Sequence, residues 1–259
     1  MKAMIFAAGL GTRLKPLTDT MPKALVPICG QPLLYHVITK LVQAGYDHIV
    51  VNVHHFPDQI IDYLKAHDFG VRIDVSDERD FLRETGGGIR YAHPLLTDFS
   101  TPPSAPLEMT KELFLVHNVD IVSNLDLKWF REQHREGTLA TLVVSERKTQ
   151  RYFLFDGDNR LRGWTNLATG EVRSPYPDID PEKCRKLAFS GIHLISPAIF
   201  EAFDRLGMGD RFSIVDFYLK ACAEYPIYGV VPPDFTMVDV GKFATLPEAE
   251  SICADILNH

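Results

Sequence analysis

Cysteine, tryptophan and long apolar runs are scarce in this chain. The sequence holds four cysteines and two tryptophans among 259 residues, and the cysteines form no Cys-x-x-Cys pair. Such scattered thiols argue against a disulfide framework and favour a reduced, cytoplasmic protein. No apolar run reaches the roughly 18 residues that a membrane-spanning helix requires. We therefore expect no membrane segment.

Positive charge is also in short supply. Lysine and arginine total 27 against 34 aspartates and glutamates, which gives a formal net charge of −7. Surfaces that bind nucleic acid or anionic lipid are usually basic over a wide area. We therefore expect the chain to bind neither nucleic acid nor a membrane. A cationic pocket inside an acidic protein suits a small phosphorylated substrate better.

The length and the composition fit one large globular domain. Hydrophobic residues make up 46% of the chain and charged residues 24%, which are ordinary values. We predict a single domain over residues 1–259, in two halves that meet near residue 125. Residues 1–8 lack the charged segment and the length of a signal peptide, and we expect them to form a buried strand.

Strand and helix patterns alternate along the chain, which is typical of an α/β fold. We predict a Rossmann-like mixed, mainly parallel sheet that is flanked by helices on both faces. The predicted strands cover residues 3–8, 49–53, 71–75, 113–117, 139–145 and 187–195, a hairpin over 152–164, and a last strand ending at 238. The predicted helices cover residues 33–44, 57–65, 89–96, 126–136, 197–206, 213–224 and a C-terminal segment from about 243. Residues 97–110 are expected to form an exposed insertion, and residues 166–185 a long mobile loop.

The loop after the first strand has the composition of a phosphate-binding loop. It carries Gly9, Gly11, Thr12 and Arg13, and Lys23 follows further on. Glycines let backbone N–H groups approach an anion without a Cβ in the way, and two cations balance its charge. This composition predicts a site for a polyphosphate.

Two better-known phosphate loops fit this segment less well. A Walker A loop needs Gly-x-x-x-x-Gly-Lys-Ser/Thr, and no such string occurs here. A dinucleotide-binding loop needs a third glycine where Leu14 stands, and an acidic residue where residues 53–55 read Val-His-His. Taken alone, Gly9 and Gly11 are also typical of a tight turn between a strand and a helix. Two glycines by themselves leave that interpretation open.

The residues around this loop resemble the signature of the sugar-1-phosphate nucleotidyltransferase family. Residues 7–18 read AAGLGTRLKPLT, and residues 22–27 read PKALVP. Further matching segments are residues 84–88 (ETGGG), 118–121 (NVDI), 189–192 (FSGI) and 238–241 (VDVG). The similarity extends over nearly the whole chain. It is greatest to the short N-acetylmuramate-1-phosphate uridylyltransferases, with mannose-1-phosphate guanylyltransferase-like members close behind.

The resemblance implies an enzyme that joins an NTP to a sugar-1-phosphate, releases pyrophosphate and uses Mg²⁺ as its cofactor. The specific expectation is UTP with N-acetylmuramate-1-phosphate, in a cytoplasmic enzyme that is a monomer or a weak homodimer. It also implies a nucleotide-binding half over about residues 1–125 and a sugar-phosphate-binding half over about residues 126–259. The β-helix domain of longer members is expected to be absent.

The resemblance assigns charged residues to the reaction itself. Arg13 and Lys23 are the expected catalytic cations, and Asp120 and Asp239 are the expected metal ligands. Since both aspartates follow predicted strands, they can meet the glycine loop at the carboxyl edge of the sheet, where ligands of such folds bind. An aspartate after a strand is also a common turn or helix cap, and that alternative remains open for both residues.

Further residues are expected to contact the substrates. The sugar phosphate is expected to lie against Asn118, Gly191 and Lys186. The expected nucleotide-binding residues are Ala8, Gly9, Gly11, Thr12, Glu84, Thr85 and Gly86. Residues 86–88 are three glycines, which permit close backbone approach to a flat base, and a helix after them would present its N-terminus. A flexible helix start is the alternative interpretation of these glycines.

The chain departs from the family pattern at several positions. Val119 stands where most members have glycine, Lys242 where they have threonine, and Arg83 where close relatives have leucine. The Glu-Lys-Pro string, whose lysine holds the sugar phosphate in many members, does not occur. The candidates to replace that lysine are Arg162, Arg185 and Lys186. These departures leave the base and the sugar undecided.

Other functions therefore remain open. A mannose- or heptose-1-phosphate guanylyltransferase is one alternative, and a non-catalytic nucleotide-sugar-binding regulatory protein is another, with Val119 and Lys242 as its best support. Residues 178–180 read Asp-Ile-Asp, the metal-binding pattern of glycosyltransferases, but they lie in a proline-rich loop. His54 and His117 lack the spacing of zinc ligands.

Overall fold

The computed structural model describes residues 1–97, 113–241 and 243–257. Its strands are β1 (Lys2–Phe6), β2 (Pro27–Ile28), β3 (Gln31–Pro32), β4 (His48–Val53), β5 (Arg72–Asp77), β6 (Phe114–Asn118), β7 (Ile121–Ser123), β8 (Ala140–Ser145), β9 (Arg151–Phe155), β10 (Leu161–Asn166), β11 (Glu171–Arg173), β12 (Arg185–Ile195), β13 (Ile227–Val230) and β14 (Met237–Asp239). Its α-helices are α1 (Leu33–Gln43), α2 (Pro57–Ala66), α3 (Glu84–Tyr91), α4 (His93–Leu96), α5 (Leu127–Glu132), α6 (Ala198–Arg205), α7 (Ile214–Ala221) and α8 (Leu246–Leu257).

One large mixed sheet organises these elements, which confirms the predicted fold class. Its main path runs β11-β10-β9-β12-β6-β1-β4-β5, and β8 joins β12 to β13 beside that path. The pairs β6–β1, β1–β4 and β4–β5 are parallel, whereas β12 is antiparallel to β6, β8 and β9. The parallel strands deliver their carboxyl ends to one edge of the sheet, with Phe6 opposite Asn118 and Asn52.

The inner parallel strands β1, β4 and β6 are buried on both faces, which explains their largely apolar sequences. Ala3 and Ile5 of β1 belong to a core with α1, α2 and α8, while Met4 belongs to a second core with α3, α4, α6 and α7. β4 alternates in the same way, since Val51 joins the first core and Val50 the second. Helices therefore cover both faces of the sheet.

Several predicted elements have different limits in the structure. The helix expected from residue 89 begins at Glu84, so the three glycines lie inside α3 and not before it. The segment expected as a mobile loop, residues 166–185, includes β11, which pairs with β10. The helix capped by Asp126 ends at Glu132, while β7 and β13 were not predicted. The expected insertion at residues 97–110 lies almost wholly outside the described residues.

Two sequence-based expectations concern disulfide bonds and membrane-spanning helices. The four cysteines are all free thiols. Across residues 1–97, 113–241 and 243–257, no helix has both the length and the apolar character needed to cross a membrane.

Candidate active site

A cavity of about 540 Å³ opens where β1 and β6 end. Its lining contains both apolar and charged side chains together with the backbone of the first loop. The lining residues are Phe6, Ala7, Ala8, Gly9, Leu10, Gly11, Thr12, Arg13, Lys23, Asn52, Leu82, Glu84, Thr85, Asn118, Val119, Asp120, Ser213 and Gly241. Ten of the residues predicted for the site therefore lie on one surface: Ala8, Gly9, Gly11, Thr12, Arg13, Lys23, Glu84, Thr85, Asn118 and Asp120.

The two glycines of the first loop have different structural roles. Gly11 has a φ of 63° and closes a turn in which the Leu14 N–H donates to the Gly11 carbonyl at 2.8 Å. A Cβ on Gly11 would also lie 2.8 Å from the Thr18 methyl group. Apart from its chain neighbours, a Cβ on Gly9 would meet no atom of the described residues within 4 Å. Gly11 is thus required by the turn, whereas Gly9 leaves open space in the cavity.

Lys23 reaches the cavity from a short helical turn after Pro22. The Val26 N–H donates to the Lys23 carbonyl at 3.1 Å, which closes that turn. The Lys23 ammonium forms an ion pair with the Asp120 carboxylate, and the two side chains are only 10% and 19% exposed. A mostly buried ion pair fixes both groups in place, because either charge would be costly to bury alone.

Asp120 and Asp239 are brought together by the small β7–β14 sheet. Asp239 lies opposite Ile121 in this sheet, and the Val240 N–H donates to the Asp120 carbonyl at 2.8 Å. A Cβ on the cavity-lining Gly241 would lie 2.6 Å from Asp239 Oδ1. The second aspartate is therefore at the border of the cavity, directly beside Gly241.

The charges around Asp239 have opposite effects on the pKa of its carboxyl group. Partial burial and the nearby negative charge of Asp120 raise the pKa of Asp239, while the positive charges of Lys23, Arg13 and Arg147 act in the opposite direction. Arg13 is close, since its Nη2 atom lies 2.9 Å from the same Cβ position on Gly241. Two carboxylates surrounded by cations form a site suited to a highly charged ligand and its counterion.

The aspartate pair supplies the carboxylate oxygens that a hard divalent cation prefers. Mg²⁺ usually keeps several waters and takes one or two protein carboxylates together with substrate phosphates. The described residues contain no group of three or more His, Cys, Asp or Glu side chains arranged for a metal. Asp120 and Asp239 would therefore hold such an ion only in combination with phosphate oxygens.

The three glycines of α3 are required by packing inside the protein. A Cβ on Gly86 would lie 2.3 Å from the Phe212 ring, and one on Gly87 would lie 2.3 Å from the Asp210 carbonyl. The N–H groups of Gly86 and Gly87 both donate to the Phe212 carbonyl, at 2.9 and 3.1 Å. These two N–H groups are therefore used inside the protein by the segment before α7, and they are not free to face a base.

The neighbouring residues Glu84 and Thr85 do line the cavity, but their side chains also hold α7. Thr85 Oγ1 accepts the Ile214 N–H at 2.9 Å, and the Arg211 guanidinium donates to Glu84 Oε1 at 3.0 Å. Ser213 caps α7 with its hydroxyl and lies in the cavity lining. The sequence indicated only a helix start at Ser213, and its place in the site depends on the packing of α7 against α3.

The sugar side of the predicted site is only partly assembled around the cavity. Gly191 has a φ of 72°, and a Cβ there would lie 2.5 Å from Asn118 Nδ2, so this glycine makes room for the Asn118 side chain. Lys186 is not among the cavity-lining residues of the described chain. Its ammonium donates to Glu182 Oε1 at 2.7 Å.

The other candidate cations are also engaged elsewhere. Arg162 Nε donates to Asp156 at 2.7 Å, and Arg185 donates to Asn159 at 2.7 Å. Arg147, which was not predicted, acts electrostatically on Asp239 and donates to the Phe189 carbonyl at 3.2 Å. No motif marks this arginine in the sequence.

One departure from the family pattern and two histidines can also be placed. Val119 is buried in the cavity wall, and its N–H donates to the Phe6 carbonyl at 3.1 Å. Lys242 lies outside the described residues. His54 and His117 each use Nδ1 to donate to a backbone carbonyl at 2.8 Å.

A mixed sheet with a cationic, glycine-lined cavity at the carboxyl edge of its parallel strands is the architecture of an enzyme that handles nucleotides. The model of the nucleotidyl transferase family matches residues 2–159. The chain therefore belongs to this family, as its motifs predicted, and is a nucleotidyltransferase.

Two curated relatives cover most of the chain. The N-acetylmuramate alpha-1-phosphate uridylyltransferase of Caulobacter vibrioides is 31% identical over 240 residues, which are 91% of this chain and 90% of the relative. The mannose-1-phosphate guanyltransferase beta-A of Xenopus laevis is 36% identical over 248 residues, which are 93% of this chain. The chain spans 61% of the length of that second relative.

A solved structure has the same fold. The crystal structure of HddC from Yersinia pseudotuberculosis matches with a TM-score of 0.73, over 96% of this chain and 98% of that one. The sequence identity is 23%, so the likeness shows the architecture alone.

Proposed function

We propose that this protein is a sugar-1-phosphate nucleotidyltransferase that converts an NTP and a sugar-1-phosphate into an NDP-sugar and pyrophosphate. The observation that carries the proposal is the convergence of the first loop, Lys23 and Asp120 on one cavity, with Asp239 at its border. Membership of the nucleotidyl transferase family supports the same reaction class.

The proposed chemistry requires no catalytic base. An oxygen of the sugar phosphate attacks the α-phosphorus of the NTP, and the bond from that phosphorus to the oxygen bridging to the β-phosphate breaks. The attacking phosphomonoester is largely dianionic at pH 7, because its second pKa is about 6. The protein must instead bring two anions together and neutralise the charge that develops on pyrophosphate.

The residues of the cavity match these tasks. We assign the backbone N–H groups of residues 9–12 and the Arg13 guanidinium to the β- and γ-phosphates. Lys23 is assigned to the α-phosphate and the leaving oxygen, since its ion pair with Asp120 holds the ammonium at the cavity wall. Asp120 and Asp239 are assigned to Mg²⁺, which when bound supplies positive charge to the phosphates.

The substrates of first choice are UTP and N-acetylmuramate-1-phosphate. The support is the Caulobacter relative, which aligns with this chain over 90% of its own length. The second candidate pair is GTP and mannose-1-phosphate, which is favoured by the higher identity of the Xenopus relative, 36%. The assignment of a nucleotide half before about residue 125 and a sugar-phosphate half after it remains part of the proposal.

A substrate matrix tests this function. Purified protein with Mg²⁺ is incubated with each of four NTPs against a panel of sugar-1-phosphates, and pyrophosphate release is measured. We expect the highest rate with UTP and N-acetylmuramate-1-phosphate, and a rate about 10²–10³ lower from Lys23→Ala protein prepared in parallel. A higher rate with GTP and mannose-1-phosphate would favour the second candidate. Tight NDP-sugar binding without turnover for any pair would contradict an enzymatic role.

A further inference from the structure

Two buried polar side chains, Asn52 and Glu78, connect opposite walls of the cavity. Asn52 lies in β4, Glu78 directly follows β5, and they are 2% and 0% exposed. Asn52 Nδ2 donates to Glu78 Oε1 at 2.8 Å. The Glu78 N–H in turn donates to the Val53 carbonyl at 2.8 Å, which extends the pairing of β4 with β5 up to this point.

Each member of the pair also holds one wall of the cavity. Asn52 Oδ1 accepts the backbone N–H of Ala7 at 2.8 Å and that of Ala8 at 3.3 Å, where the first loop begins. Glu78 Oε2 accepts the backbone N–H of Arg83 at 3.2 Å, immediately before α3. A chain of hydrogen bonds therefore runs from the first loop through both side chains to the start of α3.

A glycine of α3 lies directly beside the pair. A Cβ on Gly88 would lie 3.0 Å from Glu78 Oε1 and 3.2 Å from Asn52 Nδ2, so this glycine makes room for the pair. Burial raises the pKa of Glu78, while the hydrogen bonds from Asn52 and Arg83 favour its carboxylate. Buried polar groups are costly to leave unpaired, so the distances in this network are tightly fixed.

We propose that Asn52 and Glu78 are positioning residues that set the distance between the first loop and the start of α3, and thereby the fit of the NTP. The proposal rests on the proposed function, because that function places the NTP between these two walls. Both residues act through backbone N–H groups that they hold, at Ala7, Ala8 and Arg83.

Exchanging the amide and the carboxylate between positions 52 and 78 tests the role of the pair. Asn52→Asp keeps the acceptor for Ala7 and Ala8 but directs a carboxylate oxygen at Glu78. Glu78→Gln turns an amide N–H group towards a donor, either Asn52 Nδ2 or the Arg83 N–H. In the double variant the glutamine donates to the new carboxylate and accepts from Arg83, so all four hydrogen bonds are restored.

The expected results distinguish a positioning role of the pair from a general loss of protein stability. Each single variant should raise the KM for the NTP about tenfold, the effect of losing about 1.4 kcal/mol of binding. The KM for the sugar-1-phosphate should stay nearly unchanged, and the double variant should return the NTP value close to that of the wild type. Acidification should restore NTP binding in Asn52→Asp alone, because a proton shared between the two carboxyl groups re-forms their hydrogen bond.

A matched control shows whether lost packing alone has the same effect. Val50 lies on the same strand as Asn52 and is fully buried in the core on the α3 side, so Val50→Ala destabilises β4 without touching the pair. We expect its NTP KM to equal that of the wild type. A rise for Val50→Ala equal to that of Asn52→Asp, or a double variant worse than both single variants, would overturn the proposal.

Calorimetric titration with UTP and GTP keeps the test independent of turnover. If no protein releases pyrophosphate but NTP affinity falls in the single variants and returns in the double variant, the proposed function is wrong and the positioning role stands. If NTP affinity is the same in the wild type and all three variants, the positioning role is wrong whatever the turnover shows.

Discussion

Lys23 and Asp120 are 97 residues apart in the chain, yet their side chains form an ion pair in the wall of the cavity. Lys23 follows the loop after β1, and Asp120 follows β6, which is the parallel neighbour of β1. Parallel strands bring their carboxyl ends to the same edge, so the sheet itself creates this contact. The pair connects the cationic loop to the proposed metal ligands.

Removing either charge of this pair should remove most of the activity. We expect Lys23→Ala and Asp120→Asn each to lower kcat by about 10²–10³, the usual effect of deleting one electrostatic contact to a transition state. Lys15→Ala is the control, because Lys15 is exposed and pairs with nearby Asp19 in the same loop. Circular dichroism should show a native fold in all three variants. Turnover at the wild-type rate in Lys23→Ala or Asp120→Asn would exclude that residue from the mechanism.

Two glycine-to-alanine substitutions should affect different properties, one the binding of the NTP and the other the stability of the fold. Gly9→Ala adds a methyl group that would meet no described residue within 4 Å other than its chain neighbours, so stability should be unchanged while the KM for the NTP rises. Gly87→Ala places a methyl group 2.3 Å from a backbone carbonyl, and such overpacking costs about 1–3 kcal/mol. Urea unfolding and NTP kinetics of both variants distinguish the two effects. A loss of stability in Gly9→Ala with normal kinetics would contradict the assignment of this glycine to the phosphate loop.

Arg147 should matter more for the sugar phosphate than Lys186. Arg147 acts on Asp239 at the border of the cavity, whereas Lys186 is paired with Glu182 elsewhere. We expect Arg147→Ala to raise the KM for the sugar-1-phosphate about tenfold, because a charged hydrogen bond to phosphate contributes roughly 1.5–3 kcal/mol. Lys186→Ala should leave that KM nearly unchanged. The reverse result would support the sequence-based prediction for Lys186 and contradict the role of Arg147.

Acid should destabilise the protein through a buried histidine. Burial, reinforced by the neighbouring His117, lowers the pKa of His193 to about 3, and its Nδ1 is 2.6 Å from the Tyr218 hydroxyl oxygen. Since the unfolded pKa is about 6.5, the unfolded chain binds the proton more tightly, so the stabilisation is complete above pH 6.5 and is lost as the pH falls towards 3.

Urea unfolding at several pH values checks this expectation. Between pH 6.5 and about 3, protonation of His193 on unfolding should lower the free energy of unfolding by about 1.4 kcal/mol for each pH unit of acidification. His193→Gln can still bond to Tyr218 but cannot titrate, so its stability should depend less steeply on pH. Parallel curves for the two proteins between pH 6.5 and 4.5 would show that His193 does not take up the proton.

The fold class could be predicted because its main signals are local. The apolar run at residues 3–8 and the alternation of strands and helices indicate a sheet with helices on both faces, and Asp126 caps its helix as predicted. The limits of α3 could not be predicted, because glycines normally disfavour a helix. Here the carbonyl of Phe212 accepts two N–H groups of the first turn, and side chains at Gly86 and Gly87 would clash with residues 210–212.

The candidate site likewise contains residues that the sequence predicted and residues that it did not. Gly9, Arg13 and Lys23 lie close together in the sequence, and their pattern alone predicted a phosphate loop. Arg147 and Ser213 could not be found in that way, because their place in the site depends on loops and helices that pack against it from distant parts of the chain.

The amino-acid sequence by itself determined the family and the mixed α/β fold and predicted a phosphate-binding first loop, because glycines, cations and apolar periodicity act over short stretches of chain. Only the tertiary structure decided which charges share the cavity, why α3 carries three glycines, and that Asn52 and Glu78 join its walls. These relationships depend on contacts of a few ångströms between residues that are far apart in the chain. Such contacts exist only once the sheet and its helices have packed together.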